Sequence, residues 1–190
     1  MLRALSAMVL LGAILVPSVV TSAQSVIGVR LSARPGELSA QQIAGTTWLR
    51  RHVGADAVIA TDVHCSMLRT VAQCDSRAFW VTGLGEHQAY VSSWGYTDQA
   101  QATAAKTPPP GVTHIPYPQQ PFFDPQRLRL NDAAFTTPTR SGLDHLYDAG
   151  VRVLFADSGA GKVSHRLGQL TDQMFADGSV SIYRLRPPRR

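Results

Sequence analysis

Asp62 and His64 stand two residues apart in ATDVHC, and Glu86 and His87 are adjacent in GLGEH. Imidazole and carboxylate groups so close are the usual parts of general acid–base chemistry, and carboxylates also bind hard cations. Asp157 in VLFADSG is a further carboxylate behind an apolar run. Each position follows a segment of strand composition, and open α/β sheets bind ligands beyond the carboxyl ends of their strands. The expectation is one polar rim, on which Asp62, His64, Glu86 and His87 would serve a hydrolase. The competing expectation is that these are turn and cap residues, placed there by local hydrogen bonding. The sequence has no nucleophile elbow and no paired His-Glu-x-x-His. GAGK at 159–162 has its glycines too close together for a phosphate loop, and Val163 follows Lys162, so it reads as a turn. No metal and no cofactor are expected.

Trp80, Tyr90, Trp94 and Tyr96 surround the same region. Flat aromatic faces beside polar groups suit a sugar ring, and equally they suit a small hydrophobic core.

The elements that must position these groups follow from local patterns. Residues 37–53 carry apolar positions at helical spacing with Ser39 as cap, and Gly54-Ala55-Asp56 breaks the run before a short strand at 57–61. Phe79–Leu84 and Ala89–Ser92 read as the second and third strands. The Ala-, Thr-, Gln- and Pro-rich stretch 99–120 reads as a long loop or lid. Asp124 and Pro125 open a helix, and Thr139 or Ser141 caps another that Gly150 ends. Val151–Ala156 is the densest strand signal, followed by a short helix at 164–170 and a last strand at 179–185. The fold class is α/β: a single domain over about 35–186, with a sheet of four or five strands flanked by helices.

The 190 residues suffice for one domain, and 44% hydrophobic against 16% charged residues excludes a disordered polyelectrolyte. No charge interrupts the chain between Arg3 and Arg30, and Leu5–Val20 is apolar. That length, with its flanks, suits a membrane helix over residues 1–30; a cleaved signal with Thr21-Ser22-Ala23 as its small-residue site is the alternative. Either one carries the remainder across a membrane. In that oxidising setting Cys65 and Cys74 are expected to form a disulfide; free thiols, or a metal site with His64, are the alternatives. The net charge of +5 is weighted to Arg184, Arg186, Arg189 and Arg190. A basic tail either meets anionic lipid head groups or is simply solvated. No nucleic-acid motif accompanies it.

Five stretches in order, WLRRHVGADAVIATDVHC, FWVTGLGEHQAYVSSWGYT, FFDPQRLRLNDAAFTTPT, AGVRVLFAD and GSVSIYRL, resemble the C-terminal extracytoplasmic domain of large actinobacterial multi-pass membrane proteins. Those proteins are similar to GT-C type glycosyltransferases acting on lipid-linked sugars. The resemblance implies a non-catalytic domain outside the membrane that assists cell-envelope glycan assembly. Its implied partners are the lipid bilayer, an envelope glycan or lipid-linked sugar, and another membrane protein. The catalytic carboxylate of such enzymes lies in a loop between early membrane helices, and no position here matches it, so no catalytic residue is carried over. The chain is then either a piece of a longer protein or a separate single-pass relative.

Overall fold

The computed structural model describes residues 38–64, 79–94, 97–99, 102 and 122–189. The expected membrane segment 1–30, the Cys65–Cys74 pair and Tyr96 lie outside these residues. Among the described residues no helix is long and apolar enough to cross a membrane.

Helix α1, Ala40–His52, begins where Ser39 forms a capping box: its hydroxyl accepts the Gln42 amide at 3.1 Å while Gln42 Oε1 accepts the Ser39 amide at 2.8 Å. Arg50, Arg51 and His52 occupy its last turn, the favourable end for positive charge. Strand β1, Val58–Thr61, follows after the Gly54 turn. Helix α2 is Trp80–Gly85. Helix α3, Pro125–Thr136, has Asp124 accepting the Gln126 and Arg127 amides, with proline in its first turn. Helix α4, Arg140–Asp148, is capped by Thr139, whose Oγ1 accepts the Gly142 amide. Gly150, at φ +95°, turns the chain into strand β2, Val151–Asp157; a Cβ would be strained there. Helix α5 (Leu167–Leu170), strand β3 (Asp172–Asp177) and strand β4 (Val180–Arg184) complete the order.

The four strands form one mixed sheet in the order β1-β2-β4-β3, with β1 parallel to β2 and the other pairs antiparallel. Helices cover both faces. Leu154, Ala156 and Tyr183 pack with Phe135, Leu143, Leu146 and Leu167 from α3, α4 and α5. On the other face Val153, Phe155, Val180 and Ile182 pack with Leu49 of α1 and with Trp80 and Val81 of α2. Being covered on both sides is why β2 reads VRVLFAD, almost without polar alternation.

Three expectations about the elements are corrected. Phe79–Leu84 is not a strand; α2 occupies it. An apolar run of six cannot be assigned by periodicity alone, and here Trp80, Val81 and Gly85 face inward while Phe79 and Leu84 are exposed. Glu86, at φ 58°, ends the helix in the left-handed region. Ala89–Ser92 forms only a single bridge to β1, with the Ile59 amide donating to Gln88 O at 2.9 Å and the Tyr90 amide to Ile59 O at 2.7 Å. The helix expected over 164–170 shortens to α5. In addition, β3 was not foreseen: DQMFAD carries aspartate at both ends and little alternation, as suits an edge strand guarded by charge.

Candidate functional site

Parallel pairing of β1 and β2 brings two carboxylates to the same edge. Asp62 follows β1 and Asp157 ends β2, and both are fully buried. The Asp157 amide donates to Asp62 Oδ1 at 2.8 Å. Asp157 Oδ2 accepts from Gln42 Nε2 at 2.6 Å, so the residue that completes the capping box of α1 also binds the end of β2. Asp157 Oδ1 accepts the Gly159 amide at 2.9 Å, which makes GAGK the turn its spacing implied.

Helix α3 supplies the other side. His64 Nε2 and Asp132 Oδ1 are 2.7 Å apart, with the imidazole buried and the carboxylate partly open to solvent. Asn131 Nδ2 donates to Thr61 O at 3.0 Å and to Asp132 Oδ1 at 3.3 Å. The His64 ring lies 5.8 Å from that of Trp94. Asn131 and Asp132 were not among the residues singled out from the sequence. The available signal was the pair Asn-Asp inside an otherwise well-formed helix, where both residue types are poor helix formers and need another reason to be present.

Burial pushes the Asp62 carboxyl up to about 8; the negative charges of Asp157 and Asp132 add to this, while the Asp157 amide opposes it. Asp62 therefore holds a proton at neutral pH. Its Oδ2 and the Asn131 Oδ1 have no hydrogen-bond partner among the described residues. This edge can store a proton and join strands. Of the ionisable groups Asp62, His64, Asp132 and Asp157, the first, second and fourth are buried and Asp132 has a fifth of its side chain exposed.

Glu86 and His87 do not join this rim. Glu86 is exposed and pairs with Arg50 at 3.2 Å. His87 is buried with Nδ1 facing Gly85 O and Nε2 facing Gly54 O at 3.1 Å, before β1 begins and hence at the far end of the strand from Asp62. The reason is that α2 ends where a strand was expected to end, so the residues after it never reach the carboxyl edge. The aromatic residues separate likewise. Trp80 is in the core, edge-on to Phe155 at 5.4 Å. Trp94 packs on Phe122 at 5.0 Å in a small satellite cluster. Tyr90 is half-buried under the Arg127 guanidinium, 4.5 Å from its ring centre. These three do not form one stacking platform. Among the described residues no group of three or more His, Cys, Asp or Glu is arranged to hold a metal ion.

No family model, curated protein or solved structure matches the chain.

Proposed function

We propose that this chain is a non-catalytic α/β domain displayed on the extracytoplasmic side of a membrane by its apolar N-terminal segment, where it assists envelope glycan assembly beside a GT-C-like membrane protein. The observation that carries this reading is the use to which the chemically capable side chains are put. His64 is engaged by Asp132, Glu86 by Arg50 and His87 by two carbonyls, while Asp62 is sealed behind the Asp157 amide. Groups spent on holding strands and turns together suit a scaffold. The five family-like stretches and the uncharged segment before Arg30 supply the setting.

Cell fractionation tests the placement. The chain should stay with membranes after osmotic shock, dissolve in detergent, and be digested by protease added outside the cells. Release by shock alone, or recovery from the cytosol, overturns the reading. For the assisting role, loss of the chain should change the lipid-linked sugar pool, and a His64→Ala, His87→Ala double variant that still folds should restore it.

A second reading, acid–base hydrolysis, rests on the 2.7 Å His64–Asp132 pair beside protonated Asp62. On that reading His64→Ala abolishes a hydrolytic activity that His87→Ala retains. Equal activity in both variants removes it.

A further inference from the structure

A cleft of about 330 Å³ lies at the opposite end of the sheet from Asp62, within the size range of small-ligand sites. Its apolar wall is built from Val53, Ala57, Val153, Met174 and Leu185. His52, Arg152 and Arg184 also line it, and no carboxylate does.

The three basic groups are differently held. The Arg152 guanidinium lies over the Tyr147 ring at 3.9 Å and donates through Nη1 to Tyr147 O and Val151 O, which fixes the group and leaves its Nη2 side without an acceptor among the described residues. His52 Nδ1 donates to Trp48 O at 2.9 Å while its ring stacks on Trp48, so Nε2 is the nitrogen left for a ligand. Arg184 is exposed and has no side-chain partner among the described residues. Its register neighbour on β3 is Asp172, and that carboxylate is taken by Arg186 Nε at 2.8 Å. The cleft thus combines an apolar wall with positive charge that the protein does not neutralise.

We propose that this cleft binds an organic phosphate carrying a short apolar chain, with the phosphate between Arg152 and Arg184 and the chain along Val53, Met174 and Leu185. A planar guanidinium matches phosphate oxygens in geometry and charge, and the unbranched Met174 side chain adapts to a flexible chain. The assignment goes beyond the scaffold reading and does not depend on which side of a membrane the domain lies.

Titration of the full 190-residue chain with hexyl phosphate, inorganic phosphate and hexanol, followed by calorimetry and by amide chemical shifts, tests it. Saturable 1:1 binding of hexyl phosphate is expected, at least tenfold tighter than either fragment, with the largest shifts at Gly54, Ala57, Met174 and Leu185. Arg184→Gln, an exposed position whose replacement leaves the core intact, should weaken it at least tenfold, while Arg129→Gln, an exposed position on α3 outside the cleft, leaves it unchanged. Absence of saturation, equal binding by Arg184→Gln, inorganic phosphate as tight as the ester, or shifts elsewhere in the domain each overturn the assignment.

Discussion

The main-chain amide of Asp157 donates to the side chain of Asp62 across 2.8 Å, and both residues are fully buried. The carboxyl ends of two parallel strands are therefore joined by a side chain. One oxygen of Asp62 is satisfied and the other has no partner among the described residues. Such a group is cheapest to bury when neutral.

Stability should consequently fall as pH rises. An unfolded aspartate releases its proton near pH 4, whereas folded Asp62 keeps its own up to about 8. Between these values the folded state holds more protons. Its contribution is complete below about pH 4, declines by at most about 1.4 kcal/mol per unit through the window, and levels off above about pH 8. Asp62→Asn retains an oxygen for the Asp157 amide and cannot ionise. Urea unfolding between pH 5 and pH 9 should show a slope in the wild type that is reduced in this variant; parallel slopes would discard the explanation.

Gln42 closes the capping box of α1 and donates to Asp157 at 2.6 Å. Gln42→Ala removes the hydrogen bond to the Asp157 carboxylate and the side-chain half of the capping box, leaving the Ser39 hydroxyl on the residue 42 amide, and should cost about 1.5–3 kcal/mol. Gln42→Glu should cost more, since it sets a second carboxyl group against Asp157 where an amide donated. Chemical denaturation of both variants beside the wild type checks the order; equal losses would show that the contact to Asp157 contributes nothing.

Gly45 lets α1 lie close on the sheet. A Cβ there would sit 2.6 Å from Val180 Cγ1 and 3.2 Å from the Phe155 ring. Gly45→Ala gains helix propensity, but overpacking at a buried seam typically costs about 1–3 kcal/mol, which exceeds the gain of about 1 kcal/mol. A net fall in the thermal midpoint is expected. A rise would mean that α1 can slide on the sheet.

His87 ties the end of α2 to the turn before β1 through the Gly85 and Gly54 carbonyls. His87→Ala should cost about 1–3 kcal/mol by taking the imidazole away from the carbonyl of buried Gly85, while the Gly54 carbonyl keeps the Ala57 amide. Faster amide exchange near Gly54 and Gly85, with little change around Asp157, is the accompanying signature. Exchange that instead quickens around Asp62 and Asp157 would show the two ends of β1 to be coupled.

Local residue patterns specify α1, β1, α3, α4, β2 and β4. Each is announced by groups a few residues apart: Ser39 before apolar positions at helical spacing, Asp124 before Pro125, Thr139 or Ser141 as cap, Gly150, and the dense apolar run from Val151. Caps and turns are local hydrogen-bonding problems, so local residues solve them. Long-range packing settles that FWVTGL coils into α2, because the choice depends on Trp80 and Val81 meeting Leu49 and Phe155. It also decided that the polar edge of DQMFAD pairs with β4. At the candidate site the sequence placed Asp62 and Asp157 after their strands, whereas the partners Gln42, Asn131 and Asp132 come from helices. Those contacts join residues 68 to 115 positions apart. Long-range hydrogen bonds between buried groups leave no periodic trace along a chain, since their requirement is burial with a partner and only the packed sheet determines which partner that is.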